Sequence, residues 1–241
     1  MTYSLAEAKS LERRPYRSGG DDSMDLLENA STNPFHTFDP IDGELTENLI
    51  IALESSANGD DEKLLKLFSD NKRLQERLDR ESINTLTQRS DIPWDDATVL
   101  WIIARQIEDD GTPAWLDKGM ARDKLGRFPW ADGSPITYLL EFMIDDEDTG
   151  IKDLLLKLNL GLSEYTVGHD RYENGFGGLS LMGWLSEDEV DSMCKGLMHT
   201  SWGVSSVEPF DGGVREILKH LMVLLKSARA KSNGILLRKH S

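Results

Sequence analysis

The segment Leu185-Ser186-Glu187-Asp188-Glu189-Val190 is the clearest structural signal in this sequence, and it lies within the best-specified region, residues 176–240. Ser186 can cap a helix N-terminus, and Glu189 can bond back to the Ser186 amide, which is the capping-box pattern. The three acids of the segment place negative charge at the positive end of the helix dipole. Apolar residues then recur at helical spacing. The sequence therefore predicts a helix that starts at Ser186.

A second helix is predicted to begin near Asp211-Gly212-Gly213. Its apolar face consists of Val214, Ile217, Leu218, Leu221, Met222, Leu225 and Ala228. Asn233-Gly234 is typical of a left-handed helix stop. Residues 179–182 and 235–237 are too short for helices and apolar enough for buried strands. This region predicts two helices packed on one face of a small sheet that contains both strands.

Helical patterns dominate from Leu45 to Leu158. One of them, from Pro93 to Glu108, is apolar around much of its circumference and is predicted to be a central, buried helix. Residues 60–78 predict a helix that is broken near Ser69-Asp70-Asn71, and residues 112–133 predict a long irregular connection. The fold class is therefore α+β and predominantly helical, with helices packed on a small sheet near the C-terminus.

The domain organisation predicted from these patterns is simple. Residues 1–40 are expected to form a poorly ordered N-terminal arm, because Asp39-Pro40 and earlier Pro and Gly clusters interrupt every pattern there. Residues 41–241 are expected to form a single α+β domain, divided into a helical part, 41–160, and a C-terminal αβ module, 161–241.

Composition excludes several classes of function. The 43 acidic and 27 basic residues give a net charge of −16, which disfavours nucleic acid and anionic membranes as partners. No apolar run approaches the ~20 residues that span a membrane, and the N-terminus lacks a secretory pattern, so the cytoplasm is the expected compartment. The single cysteine, Cys194, cannot form an internal disulfide, and the five histidines lack metal-ligand spacing. The sequence predicts no catalytic residue, no metal and no cofactor.

The acidic residues are unevenly distributed. Between Arg17 and Lys63 there are twelve Asp or Glu and no Lys or Arg. The residues predicted to bind a partner are Asp60, Asp61, Glu62, Asp145, Asp146, Glu147 and Asp148. If they do so, one of the two segments, or both, should face solvent as one negative patch. The alternative is that the acidic stretch is merely solvated, or that it packs against residues 213–241, which contain seven Lys or Arg and one acid.

Two loops offer a different site. The first runs from Trp115 to Trp130 and alternates aromatic with basic residues, and the second is His169-Asp170-Arg171-Tyr172-Glu173. Trp115, Trp130, His169 and Arg171 are the predicted ligand-binding residues, with a cleft expected between the two loops. The alternative is structural: the aromatics hold a connection against the core, and the second loop is a turn.

Several segments of the C-terminal half resemble a known group of families. They are Gly177-Gly178-Leu179, the Trp184 to Val190 helix start, and a helix that runs into Gly234-Ile235-Leu236-Leu237. This order is similar to that of the YfbM-like small bacterial proteins of unknown function. The resemblance implies an α+β fold and a bacterial cytosolic setting, and it carries over no catalytic residue.

Two functional hypotheses follow from the sequence. The first is a non-enzymatic acidic interaction protein that binds a basic partner, for example an immunity-type inhibitor of a bacterial toxin. The second is a small-ligand binder or an enzyme that uses the two loops described above.

Overall fold

The computed structural model describes residues 34–80, 82–83, 87, 91, 94–109, 111–117, 119–127, 134–145, 149–162, 172–173, 175, 178–199 and 201–240. In chain order the elements are β1 (Phe35–Ile41), α1 (Gly43–Ala57), α2 (Glu62–Asp70), α3 (Lys72–Arg80), β2 (Trp94–Asp95), α4 (Asp96–Ile103), α5 (Ala121–Gly126), α6 (Pro135–Phe142), β3 (Met143–Asp145), α7 (Ile151–Leu160), β4 (Tyr172–Glu173), β5 (Leu179–Leu185), α8 (Glu187–His199), β6 (Trp202–Val204), α9 (Gly213–Ala230) and β7 (Gly234–His240).

A three-stranded antiparallel sheet lies at the centre of the fold, in the order β1-β7-β5. The last strand of the chain is therefore its middle strand, with Leu236 opposite Asp39 on one side and opposite Trp184 on the other. The register of β5 shifts by one residue between Leu181 and Gly183. This bulge keeps both Leu181 and Trp184 on the same face of the sheet as Leu236.

The two faces of the sheet are covered by two helical layers, because alternate strand residues point to opposite sides. Ile41, Trp184 and Leu236 pack in one core with the apolar faces of α1 to α4. Ile235 and Leu237 pack in the other core with α5 to α9. We call these the first and the second helical layer. Two further two-stranded sheets, β2-β4 and β3-β6, are separate from the central sheet.

The predicted C-terminal elements are confirmed, and with them the α+β fold class. Helix α8 begins with the expected capping box: Ser186 N donates to Glu189 Oε2 at 2.8 Å, and Glu189 N donates to Ser186 Oγ at 3.3 Å. Helix α9 begins at Gly213, as its apolar pattern predicts. Both helices pack on the same face of the sheet, since their buried residues share one core with Ile235 and Leu237.

Four local predictions are wrong. Residues 35–40, predicted to belong to a poorly ordered arm, form most of strand β1; residues 1–33 lie outside the described residues. The predicted helix from Pro93 to Glu108 is only Asp96–Ile103, because Ala104 bridges to Ile41 and leaves the helical conformation.

The other two corrections concern a helix and a turn. The stretch 112–133, expected to be irregular, contains helix α5 (Ala121–Gly126), whose Ala121 and Leu125 are buried in the second core. The left-handed residue after α9 is Ser232, with φ 49°, and not Asn233 or Gly234. The single-domain assignment of residues 41–241 stays a prediction. None of the helices in the described ranges has the length and apolar character that crossing a membrane requires.

Candidate functional site

The first predicted acidic segment lies at the turn between α1 and α2. Asp60 and Glu62 are exposed, and the Glu62 amide donates to Asp60 Oδ1 at 3.1 Å. Asp61 is partly buried, and its Oδ1 accepts a hydrogen bond from Ser56 Oγ at 2.6 Å. Two of these three carboxylates are therefore available to a partner, whereas Asp61 also has a structural role.

The second predicted acidic segment is held differently. Asp145 ends strand β3 and is partly buried, and its Oδ2 accepts from the Thr149 hydroxyl at 2.9 Å. Asp146, Glu147 and Asp148 lie outside the described residues. Strand β3 belongs to the second helical layer, because Met143 is part of that core. Helix α2 belongs to the first layer, so the structure does not bring Asp60 and Asp145 together in one patch.

Sequence reasoning missed a more extensive acidic surface on α1. Asp42 caps this helix by accepting from the Leu45 amide at 3.0 Å, and Leu49 and Leu53 anchor its inner face. Its outer face carries three exposed glutamates around an exposed apolar residue, Ile51, which is 43% exposed. We call this surface the acidic ridge: Glu44, Glu47, Ile51 and Glu54. The helical spacing of these acids opposite the apolar residues was the signal that could have revealed it.

A groove of about 980 Å³ runs beside the acidic ridge. Residues of α1, α2 and α3 line it, among them the apolar side chains of Leu45, Ile51 and Leu67. Its far side carries three exposed lysines, Lys63, Lys66 and Lys72, and one exposed acid, Asp70. The groove is therefore flanked by negative charge on α1, whereas the cations outnumber the acid on the α2 and α3 side.

Two arginines also line this groove. Arg73 Nη1 donates to the Ala104 carbonyl at 2.7 Å, and Arg105 forms a salt bridge with Asp42. Both guanidinium groups are thus already engaged with the protein, and Lys72 Nζ lies 3.9 Å from Glu76 Oε1.

The alternative ligand site is only partly described. Trp115 is 55% exposed, and the Arg122 guanidinium carbon lies 4.3 Å from the centre of its ring. Trp130, His169 and Arg171 lie outside the described residues. Leu116, next to Trp115, packs in the second core, whereas strand β4, at the end of the predicted second loop, pairs with β2 beside the first core. The described parts of the two loops therefore lie in different layers.

A buried polar network crosses β1 and β7 on the face toward the first layer. Arg238 Nε donates to Asp39 Oδ2 at 2.5 Å, and Thr37 Oγ1 donates to the same oxygen at 3.1 Å. Thr37 Oγ1 also lies 3.1 Å from His240 Nε2. Because the single hydroxyl proton of Thr37 goes to a carboxylate that can only accept, His240 must donate through Nε2. The hydrogen bonds are therefore donated in one direction: His240 donates to Thr37, and Thr37 donates to Asp39.

Two histidines at this end of the sheet are held neutral. Burial is the main cause that lowers the pKa of His36 to about 4, with contributions from Lys239 and His240. Burial likewise lowers the pKa of His240 to about 4, with Arg238 as the next cause, while Asp39 acts in the opposite direction. His240 is stacked on Phe35 with ring centres 4.3 Å apart. At neutral pH His240 is therefore uncharged, and the charges of the network are those of the Arg238–Asp39 ion pair.

Sequence reasoning also missed this network. Its members alternate along both strands, at positions 37 and 39 and at positions 238 and 240, which places all four on one face. The pattern was visible in the sequence, but the partners belong to opposite ends of the chain.

Comparison of the chain with protein-family models, with curated proteins and with solved structures finds no match. The resemblance to the YfbM-like families stays a prediction.

Proposed function

We propose that this chain is a non-enzymatic interaction protein that binds a basic protein partner through the acidic ridge on α1. The observation that carries the proposal is the outer face of this helix: Glu44, Glu47 and Glu54 are exposed around Ile51, and α1 contains no Lys or Arg. An apolar side chain surrounded by like charges is a common arrangement at binding surfaces, where the apolar centre supplies affinity and the charges select the partner.

Electrostatics supports a basic partner. The net charge of −16 attracts cationic surfaces over the range of the Debye length and speeds their association. Exposed ion pairs contribute only ~0.2–1 kcal/mol each, so the three glutamates need the contact with Ile51 to hold a complex.

The groove beside the ridge gives the complex an orientation. A bound segment that turned its cations toward α1 would place its other flank against Lys63, Lys66 and Lys72. Acidic residues on that flank would be favoured and a reversed orientation would be repelled. The expected partner segment is therefore basic on one flank and apolar toward the floor of the groove.

A more specific form of the proposal is an immunity-type inhibitor of a bacterial toxin. The acidic surface supports it, since opposite charge would steer such an inhibitor to a basic enzyme. In that case the chain should abolish the activity of the protein that it captures, in a one-to-one ratio.

The test compares three forms of the full chain in a capture experiment at low salt. They are the wild type, the ridge variant Glu44→Gln/Glu47→Gln/Glu54→Gln, and a control variant with the same change in charge, Glu141→Gln/Asp153→Asn/Asp211→Asn. The control residues are exposed and belong to the second helical layer. We expect a basic protein that the wild type and the control retain and that the ridge variant loses. Equal capture by all three forms would reject the proposal.

A further inference from the structure

A pocket of about 370 Å³ lies between α4, the turn at residues 107–113 and the central sheet. Most of its wall is apolar. Its lining includes Leu100, Trp101, Ile107, Pro113, Leu179 and Arg238. Its volume is near the lower end of the range for small-molecule sites. The pocket is on the face of the sheet that carries the polar network, because Arg238 belongs to both.

The wall of the pocket formed by Ile107 and residues 111–113 is held in place without a ligand. Ile107 bridges to Pro113, and the Glu108 amide donates to the Thr112 carbonyl at 2.8 Å. Gly111 closes the turn with φ +84°, a conformation that other residues adopt only with strain. A ligand would therefore not have to order this segment, which lowers the cost of binding.

Arg238 is the charged group of this pocket. Its side chain is 9% exposed, and its Nε is bonded to Asp39. In the described part of the chain its two terminal nitrogens have no hydrogen-bond partner. They are not fully buried, because the fully buried polar atoms without a partner do not include them. Arg238 is thus a lining residue of the pocket whose terminal N–H groups are not used within the described chain.

We propose that this pocket binds a small, neutral, largely apolar molecule that carries a carbonyl group. The apolar wall would take the body of the molecule, and the terminal N–H groups of Arg238 would donate to its carbonyl oxygen. A neutral acceptor fits better than a carboxylate because Asp39 already balances the charge of Arg238. A second carboxylate would leave one uncompensated negative charge against an apolar wall.

The experiment titrates the full chain with three probes of similar size, benzamide, benzoate and toluene, and follows amide and side-chain NMR signals. Benzamide should shift the Trp101 indole N–H and the Arg238 Nε–H signals. Its Kd should be about fivefold lower than that of toluene, as expected for one additional hydrogen bond. Tighter binding of benzoate than of benzamide, or no shift of these two signals, would overturn the proposal.

Two variants in the pocket and one control variant locate the site. Ala97 lines the pocket, so Ala97→Phe should fill it and abolish the binding of benzamide, whereas Ala230→Phe, at an exposed alanine at the end of α9, should not. Arg238→Lys keeps a cation next to Asp39 but loses the planar donor group, so benzamide should then bind no better than toluene. Circular dichroism and the unfolding midpoint confirm that each variant is folded. Unchanged binding to Ala97→Phe would reject the pocket.

Discussion

The Nε atom of Arg238 lies 2.5 Å from Oδ2 of Asp39, and the side chains of these two residues are only 9% and 6% exposed. They belong to the central strand and to its neighbour β1, so this ion pair links the two ends of the chain inside the fold. A buried pair of this kind holds the strands in one register, because a shifted register would leave both charges without a partner.

Removing one member of the pair should be costly. Asp39→Ala leaves the Arg238 guanidinium buried and unpaired, and we expect a loss of ~3–5 kcal/mol in the free energy of unfolding. The double variant Asp39→Leu/Arg238→Met should recover most of this loss, since two apolar residues can replace a buried pair. Urea unfolding measures both, with Glu141→Ala, at an exposed residue, as the control. If the single variant changed stability no more than the control, the pair would not be structurally important.

Stability should depend on pH through His36. The pKa of this buried histidine is lowered to about 4 in the folded chain, from an unfolded value of 6.5. The unfolded chain therefore binds the proton first, and stability is lost as the pH falls from about 6.5 toward about 4. The slope from this residue approaches ~1.4 kcal/mol per pH unit.

The variant His36→Gln isolates this contribution. Its free energy of unfolding, measured in urea between pH 7.5 and pH 5, should fall less steeply than that of the wild type. Parallel curves for the two proteins would show that His36 does not titrate as described.

Glu189 should contribute more to the free energy of unfolding than Ser186, the other residue of its capping box. Its carboxylate accepts from the Ser186 amide and forms a salt bridge with Lys157 at 2.6 Å, which joins α7 to α8. We expect Ser186→Ala to cost ~1 kcal/mol, as is typical of a lost helix cap, and Glu189→Ala to cost more. Thermal and urea unfolding of the two variants would measure the difference. A smaller effect for Glu189→Ala would contradict this dual role.

Gly183 permits a close approach between β5 and α7. A Cβ atom at this position would lie 2.1 Å from the Lys157 carbonyl oxygen and 2.5 Å from that of Leu158. Because neither backbone oxygen can move alone, Gly183→Ala should cost ~1–3 kcal/mol or more. Gly203→Ala is the matched control, since a Cβ there would meet Ile144 at an ordinary 3.5 Å. Equal unfolding midpoints for the two variants would mean that α7 can shift without cost.

The sequence predicts α8, α9 and the apolar core of β7 because the signals for them are local. Ser186 and Glu189 are three residues apart, and the residues of each apolar stripe are one turn apart. Strand β1 could not be predicted in this way. Its Asp39-Pro40 pair looks like a break, yet the partner of Asp39 is 199 positions away. Pro40 is tolerated because β1 is an edge strand and its outer side faces residues 104–105.

The candidate sites, like strand β1, could not be located from local sequence signals. The charge count between Arg17 and Lys63 indicates an acidic surface, but its position on the outer face of α1 depends on which face Leu49 and Leu53 bury. The pocket at Arg238 is still less visible, since it is assembled from α4, a turn and two strands. No spacing within the sequence connects these segments.

The affinity of the captured partner for the wild type, the ridge variant and the control variant tests the central claim most directly. Titration calorimetry at low salt should show about tenfold weaker binding to Glu44→Gln/Glu47→Gln/Glu54→Gln, and the difference should shrink as salt screens the charges. The control variant Glu141→Gln/Asp153→Asn/Asp211→Asn should bind like the wild type. Equal affinities for the two variants would show that the partner does not bind to the acidic ridge.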